Sequence, residues 1–141
     1  GTGGPGTIGA IRVGRQGTGE LNVEDGSKVY GLFLDVGRGS PTAGEADGVG
    51  TVNIDGTNSA IHLSSAYGRF TDAATIGEAA FTRFGREDGG KGYLNITNGG
   101  LLQVVNVDQE TDAPALRFGR NDGAKGYGLV SGAGSTINVI Q

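Results

Sequence analysis

One phrase recurs four times along this chain, and the recurrence limits the fold more than any other feature. "RVGRQGTGELNV" starts at Arg12, "LDVGRG" at Leu34, "RFGREDGGKGYLNI" at Arg83 and "RFGRNDGAKGYGLV" at Arg117. Each copy sets an apolar residue, Gly and Arg ahead of a turn and a short alternating strand. The anchors are Gly14, Gly37, Gly85 and Gly119, read as structural corners where the chain must bend. Before them apolar and polar residues alternate with period two, the mark of a half-buried strand. Ile11 and Val13, Leu34 and Val36, Phe84, then Leu116 and Phe118 are expected to face inward. Val13, Val36, Phe84 and Phe118 head the predicted core, with Thr82 as its polar exception. Arg12, Asp35, Arg83 and Arg117 are expected to face out.

After each anchor comes Arg15, Arg38, Arg86 or Arg120, and then a second strand. Leu21 and Val23, Val52 and Ile54, Leu94 and Ile96 should face in, with Asn22, Asn53 and Asn95 outward between them. Leu129 breaks that Asn series. Third strands carry Val29, then Ile61 and Leu63, Leu102 and Val104, and finally Ile137 and Val139. Three short strands per unit, four times over, define a solenoid pattern.

A hairpin-built sandwich also predicts short strands and Gly turns, but not likeness between successive units in every strand and turn. Parallel coils do predict it, because like positions stack about 4.8 Å apart. The expected fold is therefore all-β: a right-handed parallel β-helix (β-solenoid) with about three short strands per coil and loop insertions. Residues 1–141 read as one segment of paired coils, approximately 11–63 and 82–140. Insertions fall at Gly39–Val49, Ser64–Phe81 and Val105–Ala115. The middle one, "TDAATIGEAA", could form a helical turn capped by Thr71 or Asp72.

The phrases "VGRQGTGELNV", "LNITNGGLLQV" and "VSGAGSTINV" resemble the Gly-rich repeat of autotransporter passenger domains and PEP-CTERM-associated surface proteins. The resemblance spans nearly the whole chain outside the three insertions. It implies extracellular β-helical stalks, adhesins and matrix proteins without catalytic residues. Two departures stand out: Phe84 and Phe118 replace the usual Val before Gly, and Arg follows the anchor Gly in every copy.

Composition bears on function mainly by exclusion. Charges are scattered and sum to −4, without the clustered Lys and Arg of a nucleic-acid face. No apolar run approaches the roughly 18–20 residues that span a membrane, so no membrane insertion by this segment is expected. Cys is absent, which removes a disulfide framework. Asp-Gly turns at Asp47, Asp88 and Asp122 admit calcium as a cofactor, since hard cations take oxygen ligands. The nonapeptide spacing of calcium β-rolls is missing, however, and Asp-Gly is an ordinary tight-turn solution. No cofactor is therefore expected, with calcium as the alternative. Stacked arginines should repel unless Glu87, Asp88 or Asp122 interleave; a solvated face and an acidic-glycan or filament contact are the two readings. His62, the only His, has no partner evident in sequence, so no general base is expected.

The expected function is an extracellular or cell-surface structural or adhesive solenoid forming a stalk, fibre or matrix filament. Its alternatives are a glycan-binding or polysaccharide-cleaving β-helix, and a calcium-dependent β-roll. "STINVIQ" followed by "GTGGPGTIGAIRVGR" resumes the repeat, since Ile140, Gln141 and Gly1–Ala10 match Val105–Ala115 in length to within one residue. The expected partner is therefore the chain itself, stacking head to tail through Ile137 and Val139. Either one period of a longer chain or a fibre subunit fits, and heterologous contacts of this kind do not close.

Overall fold

The computed structural model describes residues 9–40, 42, 46–68, 80–106 and 115–140. Twelve strands account for most of them. The first triplet is β1 (Ala10–Arg15), β2 (Thr18–Val23) and β3 (Lys28–Gly31), and the second β4 (Phe33–Arg38), β5 (Val49–Asp55) and β6 (Ala60–Ser64). The third is β7 (Phe81–Arg86), β8 (Lys91–Thr97) and β9 (Leu101–Val105), and the last β10 (Leu116–Phe118), β11 (Lys125–Ser131) and β12 (Thr136–Ile140). A 3-10 turn, Ser65–Gly68, follows β6.

These strands form three four-stranded sheets ordered β1-β4-β7-β10, β2-β5-β8-β11 and β3-β6-β9-β12. Every pairing is parallel. Each sheet thus takes one strand from each successive triplet, an arrangement consistent with a β-solenoid. Equivalent residues stand in register: Val13 against Val36 and Val36 against Phe84, Val52 against Leu94, Ile61 against Leu102.

Alternation in sequence becomes burial through this register. Leu34, Val36, Val52, Ile54, Ile61, Leu63, Phe84, Leu94, Ile96, Leu102 and Val104 are all buried in one continuous core. A fully buried side chain of this kind stabilises by about 1.5–3 kcal/mol. Phe118 departs from the expected core assignment. It faces inward and stacks on Phe84 at 5.0 Å between centroids, but it is 38% exposed. β10 is the edge strand of its sheet, so no further strand among the described residues covers the outer side of the ring. Asp35 departs the other way: expected outward and solvated, it is only 2% exposed.

The anchor corners depend on close backbone approach. Gly85 has φ +75°, and a Cβ there would collide with the Lys125 carbonyl of the next triplet. The same holds for Gly14 against Val49 and Gly37 against Lys91. A second glycine column completes the corner. Gly19, Gly50, Gly92 and Gly126 pair across the second sheet, and a Cβ on Gly92 would strike the backbone of Phe84 and Gly85. Two bare backbones cross where the first sheet turns into the second.

At the opposite corner a buried side chain does the work. Asn106 Oδ1 accepts a hydrogen bond from the Ala80 amide at 2.7 Å, and its Nδ2 donates to the Ala80 carbonyl at 3.3 Å. This satisfies buried backbone groups that begin the third triplet, where an unmet pair would cost a few kcal/mol. The turn expected at Thr71 or Asp72 lies outside the described residues.

Candidate functional site

Three surfaces carry the residues of interest: the outer face of the first sheet, the outer face of the second, and the exposed rim of the last triplet. On the first sheet, Arg12 pairs in register with Asp35, Asp35 with Arg83, and Arg83 with Arg117. Beside them Arg15 pairs with Arg38, and Arg38 with Arg86. Sequence-distant arginines are therefore gathered onto one face, although the linear charge pattern has no basic block.

Two carboxylates interleave with them. Asp35 Oδ2 lies 3.4 Å from Arg86 Nη1. Glu87 Oε1 lies 2.8 Å from Arg86 Nε and 3.7 Å from Arg38 Nη2. The Nε approach is short but off the N–H direction, so it acts as an ion pair while Nε makes no hydrogen bond. Asn121 Nδ2 donates to Glu87 Oε2 at 2.8 Å, tying the third triplet to the fourth. Glu87 is thus the interleaving carboxylate that the sequence suggests; Asp88 and Asp122 form no ion pair among the described residues.

Arg83 is the most constrained member. Its guanidinium lies 3.8 Å from the Phe81 ring centroid, and Phe81 stacks on Phe33 at 4.6 Å. Burial lowers its pKa to about 10, with Arg120, Arg86 and Arg117 pushing the same way and Asp35 opposing them. At neutral pH the group stays charged, so the shift expresses first the cost of burying the cation and then repulsion from the neighbouring arginines. Its Nε is buried without a hydrogen-bond partner, as are Asp35 Oδ1 and Thr82 Oγ1.

The second sheet carries an amide ladder. Asn95 Nδ2 donates to Asn53 Oδ1 at 2.8 Å, and Asn53 Nδ2 donates to Asn22 Oδ1 at 2.7 Å and Glu20 Oε1 at 3.0 Å. Leu129 ends it opposite Asn95. Tyr93 and Tyr127 stack beside it at 4.9 Å. At the following turn, Asp55 Oδ1 accepts from Thr97 Oγ1 at 2.5 Å and Asn98 Nδ2 at 2.7 Å. Those two hydrogen bonds hold the Asp55 carboxyl below its usual value.

His62 does have a partner, contrary to the sequence expectation. Its Nδ1 lies 2.9 Å from Gln103 Oε1, and its ring stacks on Tyr30 at 5.3 Å. All three belong to one outward column of the third sheet, next to a shallow groove of about 470 Å³ lined by turn residues such as Asn58, Gly99 and Gly134. No carboxylate lines that groove.

Of the turn aspartates, Asp88 and Asp122 are level with one another, and Asp47 is offset from them by one residue. The amide of Lys91 donates to Gly48, and that of Lys125 to Gly90, which makes Asp47 equivalent to Gly89 rather than to Asp88. Asp47 leans over Gly89 and Asp88 over Gly123. Among the described residues, no three His, Cys, Asp or Glu side chains come together. No helix among them is long and apolar enough to cross a membrane.

The rim of the last triplet is the third surface. Phe118, Tyr127, Leu129, Val130, Val139 and Ile140 are exposed large hydrophobics there, and Tyr30 on β3 is the only other among the described residues. Ile137 and Leu116 are partly buried against the core from this side. At the opposite rim Ile11, Leu21 and Val29 hold the same position.

Comparisons with protein-family models, curated proteins and solved structures gave no match.

Proposed function

We infer that this chain is a structural solenoid segment of the cell surface or extracellular matrix, whose units stack head to tail into a stalk or filament. Its winding is right-handed, as parallel crossovers nearly always are. Its action is mechanical and interfacial rather than catalytic, in keeping with the resemblance to autotransporter and PEP-CTERM-associated surface repeats. No cofactor takes part, so chelation of calcium should leave the far-UV circular dichroism unchanged.

The observation that carries this reading is the confinement of exposed apolar side chains to the two end triplets. Continuing the internal register would set Val13 of a following unit over Phe118, Val23 over Val130 and Val29 over Ile137. Leu21 would lie over Gly128, where Phe118 already fills the space beside the backbone. The core columns would then continue apolar on apolar except where glycine stands in one of the two faces, Gly31 over Val139 and Leu21 over Gly128, and three unpaired strand edges would be covered at once. Such self-complementary stacking gives open filaments rather than closed dimers.

The test is sedimentation velocity and negative-stain imaging over a concentration series. The comparison is with a variant carrying Ile137→Lys and Val139→Lys, checked by circular dichroism. Concentration-dependent growth along one axis, abolished by the lysines, is the expected result. A monomer at high concentration, with the lysines changing nothing, would overturn the reading.

A further inference from the structure

Of the eight arginines in the chain, seven lie on the first sheet or at the corner directly after it. All three lysines sit on the other two sheets. The two carboxylates interleaved with the arginines, Asp35 and Glu87, serve Arg38 and Arg86. Between the third and fourth triplets the balance is different. Arg83 stands directly opposite Arg117, and Arg120 is fixed above Gly85 by its amide bond to that carbonyl at 3.1 Å. The Arg83 plane is held against Phe81 at 3.8 Å, and its Nε is buried with no acceptor. Arg83, Arg117 and Arg120 therefore converge on fixed backbones with an unmet buried donor at Arg83 Nε and no ion-paired carboxylate among the described residues, while Arg86 beside them is already paired with Asp35 and Glu87.

We propose that Arg83, Arg117 and Arg120 form a binding site for carboxylate groups of a linear acidic polysaccharide. Guanidinium suits this ligand because its planar fork binds a carboxylate through two parallel hydrogen bonds, which a lysine ammonium cannot reproduce. An incoming carboxylate supplies the missing acceptor and relieves the repulsion among these three cations. The ligand is a polymer because the columns run along the stack, repeating at about the 4.8 Å spacing of neighbouring strands. Asp35, placed in the same column between Arg12 and Arg83, already supplies a carboxylate to Arg86. A sugar carboxylate fits better than a phosphate because the anionic group already built into this column, at Asp35, is a carboxylate. Exposed Asp88 and Asp122 border the columns and limit the ligand to the arginine rows. The site lies on a lateral face and does not depend on head-to-tail stacking.

The experiment is isothermal titration and affinity electrophoresis of the full chain with sodium polygalacturonate at low salt. Its fully methyl-esterified form and single-stranded DNA serve as comparison ligands. Arg117→Gln with Arg120→Gln should weaken polygalacturonate binding about tenfold or more, the scale expected for losing charge-assisted bidentate contacts. Circular dichroism should confirm that this variant keeps the parent fold. Lys91→Gln with Lys125→Gln removes the same charge from the adjacent sheet and should change affinity by only about twofold. Absence of polygalacturonate binding, equal binding of the ester, equal loss in the two double variants, or tighter binding of DNA would each overturn the assignment.

Discussion

The anchor corner makes a paired prediction whose two members differ in one physical respect. Gly85 and Gly119 both have positive φ, +75° and +68°. Alanine at either position enters the left-handed region at a cost of about 1–2 kcal/mol. What the new methyl meets is different. At Gly85 it lands on the Lys125 backbone, closer than 3.0 Å to the carbonyl oxygen and carbon and 3.0 Å from the amide nitrogen of that residue. That peptide belongs to β11, held by its ladder to β8, so it cannot yield cheaply. Overpacking of this sort adds about 1–3 kcal/mol. At Gly119 the nearest atom is the Ala124 carbonyl oxygen at 3.1 Å, and no further strand lies above it. Gly85→Ala should therefore lose about 2–5 kcal/mol and Gly119→Ala about 1–2. At roughly 2–4 °C per kcal/mol for a chain of this size, the two melting points should be clearly separated. Because repeat arrays can unfold in segments, urea and thermal melts need two probes. Far-UV circular dichroism reports the sheets, and the stacked Tyr93–Tyr127 pair reports the fourth triplet. Equal losses in a dilute, monomeric sample would refute the argument that the next strand makes the corner intolerant. In a stacked filament the same two variants should converge, because a following copy would cover Gly119.

Three further predictions concern the core, the ladder and acid. Phe84→Ala should cost about 3–5 kcal/mol by urea denaturation, whereas half-covered Phe118→Ala should cost about 1–2 in the monomer. Asn53→Ala removes the middle of the amide ladder and should lower stability by about 1–2 kcal/mol, since each exposed hydrogen bond contributes about 0.5–1; an unchanged urea midpoint would make the ladder ornamental. Asp55 is held below its ordinary value of 3.8 by Thr97 and then Asn98. The depressed folded value means that its contribution is in force above about pH 4 and fades as pH falls through that folded value. Asp55→Asn should therefore flatten the acid limb of the pH–stability curve while leaving its neutral-to-alkaline slope unchanged.

What the sequence conveyed well was whatever repeats along one strand. Alternation placed Val36, Val52, Ile61, Leu94 and Leu102 inside because period two maps directly onto the two faces of a pleated strand. The anchor glycines were legible for the same reason. Their partners Gly19, Gly50 and Gly92 stand two residues before inward Leu21, Val52 and Leu94, and Gly126 two residues before Gly128. Their role was hidden because the clash they avoid is with the backbone of another strand. Phe118 was misjudged since a periodic pattern has no marker for the last member of a stack, and burial depends on what lies above. Asp35 was misjudged for a related reason. Facing out from a sheet is a matter of pleat, but exposure is a matter of neighbours. Here Phe33, Phe81 and two arginines crowd the outer face.

The arginine face shows the same limit acting on charge. Along the chain, tens of residues separate Arg12 from Arg38, Arg38 from Arg83, and Arg86 from Arg117, so no basic run is present. Parallel stacking collapses each interval to one strand spacing, and residues at the same phase of the repeat become neighbours whatever the loops between them contain. Like charges brought together in this way repel by about 1 kcal/mol per pair even in water-like surroundings at 4 Å, and by more where burial lowers the effective dielectric. The second and third triplets offset this with Asp35 and Glu87. The fourth contributes Arg117 and Arg120 and, at the corresponding position to Glu87, the neutral Asn121. A chain selected for stability alone would gain from a carboxylate there, as it has at Glu87. Retaining an uncompensated cluster beside a buried, unmet Arg83 donor makes sense when the missing negative charge arrives from outside.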